Sequence, residues 1–256
     1  MNRRRFVMRL AAVAFALTLL ALWQLLASSN VISAVFFPPP TRSLQALSEL
    51  ITSGRIWEPL AATLERMALG WVLASAAGIA LGALIGSSKV LRAYLEPTLE
   101  FFRPLPASAI IPPAILLLGL GQTMAVFVIA FGAIWPVLLG SVHGFKRIDP
   151  RLAEVARSLE MSRAEFLYKI ALPSALPDIF AGLRISLAVS LILTVVVEMQ
   201  ASQPGLGQNI LLAQRIYRSP EIYAGIFILG LTGYLTNVVL TSIESHLLAW
   251  RRALRH

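Results

Sequence analysis

The chain has no cysteine, only three histidines and only 13 acidic residues in 256. Without thiols there is neither a disulfide framework nor a thiolate metal site, and their absence says nothing about redox compartment. His143, His246 and His256 are scattered along the sequence, which argues against a metal cluster among them. No Gly-Lys dipeptide occurs anywhere, so a phosphate-binding loop of the GxxxxGK[ST] form is excluded. Charge is scarce as well: 14% of residues are charged against 57% hydrophobic. With a mean hydropathy of +0.74, a soluble domain would be left with far too much apolar surface.

What is present is a set of long apolar runs. A bilayer core about 30 Å thick needs roughly 20 mostly apolar residues per helix. Six segments meet or nearly meet this requirement, at about 8–27, 67–86, 105–121, 123–142, 180–200 and 222–243. The expected fold class is therefore an all-α polytopic membrane protein with six transmembrane helices. The third and fourth runs are separated only by Gly119-Leu120-Gly121-Gln122, a tight re-entry that predicts a helical hairpin.

The net charge of +9 could suggest nucleic acid. The basic residues, however, are split among short segments beside the apolar runs, with no aromatic-interleaved patch. No nucleic-acid partner is expected, and membrane lipid is the surrounding medium. With the N-terminus inside, 16 of the 22 Lys and Arg fall in inner segments, including Arg3, Arg4, Arg5, Arg9, Arg251, Arg252, Arg255 and six between 143 and 178. Four fall outside (Arg42, Arg55, Arg215, Arg218), while Arg66 and Arg184 lie within or at the edge of spans. The positive-inside rule thus predicts that both termini and the 143–178 segment are cytoplasmic. Arg3-Arg4-Arg5-Phe6 before an apolar run also looks like a twin-arginine signal, but the run is long and no small-x-small site follows Trp23. An uncleaved anchor is the simpler reading.

Three stretches are predicted to make up the chain: residues 1–59, an anchor followed by an outer-surface helix; 60–243, the transmembrane domain; and 244–256, a basic cytoplasmic tail. Pro38-Pro39-Pro40 must be extended. Thr41 then looks like the N-cap of an amphipathic helix with Leu44, Leu47 and Ile51 on one face. Gly70, Ala74, Gly78, Gly82 and Gly86 recur every fourth residue and lay one face of the second span bare for a close neighbour. Pro104, Pro106, Pro112, Pro113 and Pro136 predict bent or interrupted helices, which membranes tolerate where a neighbour or a wet cavity satisfies the freed carbonyls.

Between the fourth and fifth runs, EVARSLEMSRAEFLYKIALP (154–173) is helix-forming but too polar to cross a bilayer. Asp149-Pro150 reads as a cap and first-turn pair, with Glu154 early in a short helix that ends near Leu159. A second short helix from Arg163 to Ile170 sets Phe166 and Ile170 four apart on one face, and Pro173 and Pro177 are expected to break the path before the fifth span.

The spacing of Glu154, Ala156, Ile170, Leu172 and Pro173 resembles the cytoplasmic "EAA" loop of bacterial ABC importer permeases. RPLPASAIIPPAILLLGLG, LPSALPDIFAGLRISLA, EMQASQPGLG and, further back, PPPTRSLQAL extend the similarity to roughly residues 38–250. They look like the permease family serving nitrate, sulfonate, taurine and bicarbonate importers. Val155 stands where that family usually has Ala, and Glu160 where it usually has Gly; a Glu resists turn dihedrals that Gly accepts.

The resemblance implies a type I permease subunit with its coupling loop, about 146–178, between helices 4 and 5. By resemblance Glu154, Val155, Ala156, Arg157, Ser158 and Leu159 form the coupling helix, with Glu160, Ile170, Leu172 and Pro173 completing the loop. The implied partners are a second permease copy (a homodimer), two cytoplasmic ATPases that hold ATP and Mg, and an external substrate-binding protein. The implied place is the bacterial inner membrane. No catalytic residue, metal or cofactor is expected in this chain. The implied solute is a small sulfonate, taurine-like compound or nitrate.

Glu198, at the outer end of the fifth span, and its neighbour Met199 are candidates for the pathway or gate, because a carboxylate there needs water or a partner. Arg184 is a third candidate, but it lies fourteen residues from Glu198, about 21 Å along a helix, so the two cannot pair within one helix. A stand-alone channel or secondary transporter would show more charges deep in its spans. An intramembrane hydrolase at Ser141 and His143 lacks the geometry, since residues two apart on a helix face different ways.

Overall fold

The protein is described by a computed structural model covering residues 3–29 and 33–249. The side chains of Arg3, Arg4, Arg5 and Arg9, and the tail from residue 250 with Arg251, Arg252 and Arg255, lie outside the described residues. In chain order the α-helices are α1 (Arg3–Ser28), α2 (Pro40–Thr52), α3 (Trp57–Ser87), α4 (Lys89–Phe102), α5 (Ile111–Leu118), α6 (Gln122–Lys146), α7 (Pro150–Ser158), α8 (Arg163–Phe166), α9 (Leu172–Gln200), α10 (Leu206–Arg215) and α11 (Ser219–Leu247). A 3-10 turn, Ala107–Ile110, leads into α5, and a π-helical segment, Leu167–Ala171, joins α8 to α9.

Among the described residues five helices are long and apolar enough to cross a membrane, and a sixth crossing is available as a bent pair. That pair corrects the reading of 105–121 as one span. Lys89–Phe102 and Ala107–Leu118 meet at 84°. At about 1.5 Å per residue α5 is about 12 Å long, too short to span alone. The cause is local: Pro104, Pro106, Pro112 and Pro113 supply no amide donors, so a straight helix cannot run through them. After α5, Gly119 (φ +75°) takes the left-handed turn that opens the re-entry into α6.

The centre is a three-helix sandwich of α3, α6 and α9. Each α3 glycine meets the α6 residue 59 positions later: a Cβ at Gly70, Gly78, Gly82 or Gly86 would press on Ile129, Val137, Ser141 or Phe145. A constant offset means parallel helices in register, and the missing side chains are what let the backbones approach. On the other side of α6, Gly140 and Gly144 lie against Asp178, Gly182 and Ala175 of the antiparallel α9. Between membrane helices lipid tails remove most of the hydrophobic gain, so this dispersion contact is the main attraction. Ser186 Oγ donates to the Ala133 carbonyl at 2.6 Å and Trp71 Nε1 to the Leu183 carbonyl at 3.2 Å, adding polar ties across the same sandwich.

The chain crosses so that the ends of α3, α6 and α11 and the start of α9 share one end of the bundle, here called the loop end; α2 and α10 sit at the other, distal end. At the distal end Thr41 is not an N-cap. Pro40 occupies the first helical turn behind Pro39, where the missing amide would be unpaired anyway, and the Thr41 N–H donates instead to Gln24 Oε1 of α1 at 3.3 Å. Leu47 packs toward the buried Ile56–Leu206–Ile228 cluster, while Leu44 and Ile51 remain exposed.

Candidate functional site

At the loop end, α7 is built by local bonds. The Asp149 side chain accepts from the Arg151 amide at 2.9 Å and caps the start. The helix stops in a Schellman turn: Met161 N–H donates to the Ala156 carbonyl and Glu160 N–H to the Arg157 carbonyl, both at 3.0 Å. That turn requires a left-handed residue, and Glu160 takes it at φ +52°. The bend expected of a glycine therefore forms with Glu, against a cost of roughly 1 kcal/mol.

The next helix opens with a capping box. Ser162 Oγ accepts from the Glu165 amide at 3.2 Å, and Glu165 Oε2 accepts from the Ser162 amide at 3.0 Å. Residues 163–169 stand outside the apolar part of the helix that follows. Lys169, bonded at 2.9 Å, together with the Ser162 amide and hydroxyl, holds the Glu165 carboxyl down at about 2. The carboxylate needed by the box thus stays ionised.

The path from this loop into the bundle corrects one expectation. Pro173 and Pro177 do not break the chain; helix runs without interruption from Arg163 to Gln200, 38 residues. The π-helical turn at Leu167–Ala171 absorbs the conflict, because its wider winding shifts the carbonyls that would meet the Pro173 ring.

The loop residues divide by exposure. On α7, Leu152, Val155 and Leu159 are 39%, 52% and 68% exposed and share one face at helical spacing, an apolar ridge on an otherwise polar helix. Glu154, Arg157, Ser158 and Glu160 are exposed around it. Ala156 is the exception: one turn from Leu152 on the adjacent side of the helix, it is buried at the wall of a groove also lined by Ala83 and Leu84 of α3 and by Phe166. The chain itself covers most of its side chain. Ile170, Leu172 and Pro173 are half-buried, and Leu172 packs on the central core cluster with Ala171 and Ala175.

At the distal end a second constellation is wholly internal. Glu198 of α9 is fully buried, and Thr63 and Arg66 of α3 come to it. Arg66 Nη1 donates to Glu198 Oε1 at 2.6 Å and its guanidinium also reaches the Pro204 carbonyl at 3.2–3.3 Å. Thr63 Oγ1 donates to the same carboxylate at 2.9 Å and accepts from the Leu206 amide at 2.9 Å. The Gly207 amide donates to Glu198 Oε2 at 2.8 Å. The carboxylate thus sits at the N-terminus of α10, where the helix dipole favours negative charge. A Cβ at Gly205 would overlap it.

Of the gate candidates, Glu198 is buried among these partners and Met199 beside it is half-buried. Arg184 is far from both, exposed on α9 and paired with Glu244 of α11. Arg66 and Thr63 were missed as site residues. The available signal was an arginine inside an apolar helix, which demands an internal partner, with a hydroxyl one turn before it on the same face.

Known proteins share this build. Residues 75–252 match the family model described as a binding-protein-dependent transport system inner membrane component. A protein described as an aliphatic sulfonates transport permease from Bacillus subtilis is 35% identical over 92% of this chain and 85% of its own length. The taurine transport system permease protein of Escherichia coli is 32% identical over 91% and 86%. A nitrate import permease protein of Leptolyngbya laminosa is 34% identical over 91% and 85%. Among solved structures, an inward-facing form of the MetNI methionine ABC transporter superposes with a TM-score of 0.65 at 20% identity, covering 75% of this chain and 96% of that one, which speaks for the fold alone. With its parallel glycine-packed core, its polar loop between α6 and α9 and relatives matched along most of their length, the chain belongs to the inner-membrane components of binding-protein-dependent transport systems, as a multi-pass ABC importer permease.

Proposed function

We propose that this permease forms the translocation path for a small sulfonate, taurine-like compound or nitrate, delivered at the distal end by an external binding protein. The names of the three curated relatives support that solute class. The loop end faces the cytoplasm, as the Lys and Arg distribution favours, and both termini lie on that side. Two copies of the chain pair, and each docks one ATPase subunit that holds the ATP and Mg.

The observation that carries the docking is the exposed ridge of Leu152, Val155 and Leu159 on a short, rigidly capped helix. Apolar side chains held out on a polar loop fit a groove on a partner. Glu154, Arg157, Ser158 and Glu160 would then contact the groove's rim, while Ala156, Ile170, Leu172 and Pro173 hold the helix against the bundle. Closure of the ATPases would rock the permease pair between inward-facing and outward-facing states. Glu198, with Met199 beside it, acts on the distal gate through hydrogen bonds instead of touching an anionic solute, and Arg184 braces α9 against α11.

The test is charge on the ridge. Val155→Asp and Leu159→Asp should leave membrane insertion intact and lower binding-protein-stimulated ATP hydrolysis at least several-fold. Full stimulation in both variants would remove the docking assignment.

A further inference from the structure

The groups that meet at Glu198 come from three separate places in the chain. The Arg66 guanidinium and Thr63 hydroxyl come from α3 and the Gly207 amide from the first turn of α10, while the carboxylate they receive stands on α9. Arg66 is 5% exposed, and its Nε, also buried, has no partner among the described residues. Gly205 leaves the space in which the carboxylate sits. A cation, a hydroxyl and a helix N-terminus gathered on one planar group have the composition of an anion-binding pocket.

We propose that Thr63, Arg66 and the α10 N-terminus form a receptor for a carboxylate-sized anion, that the chain's own Glu198 is its occupant, and that this occupancy positions α10 over the distal end of α3 and α9. α10 packs on α9 and α11, with Ile210 against Gly225 and Leu206, Gly207 and Ala213 buried, and it touches α3 much less. Seating the carboxylate, on which Arg66 and Thr63 also close, ties α10 to α3 as well. Withdrawing it would loosen α10 from α3. The inference extends the gate role given to Glu198 above, and it assigns Arg66 and Thr63 as positioning residues.

The experiment uses the full chain with its ATPase in lipid nanodiscs. Cysteines introduced at the exposed positions Ala61 and Gln214 carry spin labels, with no native cysteine to interfere. With Glu198 present the label distance should be single and narrow. In Glu198→Ala it should broaden and transport should fall at least several-fold. Formate, a one-carbon planar anion, should narrow the distribution again and recover much of the transport, and it should do neither in the Arg66→Ala/Glu198→Ala double variant.

A distribution that stays narrow in Glu198→Ala, or formate that acts equally on the double variant, would overturn the receptor. If Glu198→Ala fails to insert, Glu198→Gln decides: it keeps an acceptor for Gly207 and Thr63 but loses the charge, so partial broadening supports the receptor and wild-type behaviour rejects it. The label distances report on α10 whichever solute is carried and whichever side the distal end faces. Failure of this inference is therefore distinct from failure of the transport reading.

Discussion

The two ends of the molecule solve the problem of placing charge near a membrane in opposite ways. At the loop end the charged groups are exposed and tied to neighbours in sequence: Asp149 caps two residues on, and Glu165 meets Ser162 and Lys169 within four. At the distal end, beside exposed groups such as the Arg218–Glu221 pair, the buried pair of Arg66 and Glu198 is joined across 132 residues. Exposed local bonds make a unit that can keep its shape while it docks and moves. A buried long-range network instead makes separate segments move together. In the first case each bond contributes only a few tenths to about 1 kcal/mol, and in the second the loss of one partner strands a charge.

The comparison breaks most visibly at Arg66. Arg66→Ala leaves the buried Glu198 carboxyl without its cationic partner and should cost about 3–5 kcal/mol, read as a large loss of thermal stability in detergent. An Arg66→Met/Glu198→Leu double variant should recover much of that stability without recovering transport, since it keeps packing but removes the anion and its cradle. If the double variant were no more stable than Arg66→Ala, the network would be dominated by shape and not by charge.

A smaller effect is expected where both ends depend on the same scaffold. Gly82→Val places a side chain against Ser141 and the α6 backbone, and the overpacking should cost about 1–3 kcal/mol. Lower yield of assembled transporter would show it, whereas Gly119→Ala, in open space but at φ +75°, should act only through its turn.

On α7 the two faces should separate cleanly. Ala156→Asp buries a carboxylate against the chain itself and should destabilise the loop by about 1–3 kcal/mol, visible as faster hydrogen exchange over 150–171. Leu159→Asp, exposed, should stay within about 0.5 kcal/mol of wild type and reduce only ATPase stimulation. Equal exchange in the two variants would erase the distinction between ridge and back. The smallest change is Glu160→Gly, which relieves the left-handed strain and should slow exchange in the Schellman turn by an amount corresponding to about 1 kcal/mol.

Much of the loop was legible in the sequence because its determinants are local. Asp149-Pro150 and the charge pattern lie within a few residues of the bonds they make; the equally local Ser162 and Glu165 pair went unread. The glycine stripe was legible for a related reason: a four-residue period fixes one helix face whatever packs on it. Sequence spacing could not show which side chains of α7 the chain itself covers, so Ala156 read as a contact residue until the fold showed it buried. Proline positions announced irregular helices, but they did not tell that the 105–121 run would bend with α4 or that a π turn would carry the chain straight past Pro173 and Pro177.

The sequence by itself determined the class of molecule, most of its apolar helices, where the basic residues cluster and the short capped helix α7 of the loop. All of these follow from composition or from interactions among residues near in sequence. The tertiary structure alone decided the partners of the buried charges. Arg66 and Glu198 each announced the need for a counter-charge, but more than 130 residues of chain separate them, and only the close approach of α3 and α9 on either side of α6 brings the guanidinium, the carboxylate and the α10 N-terminus to one point.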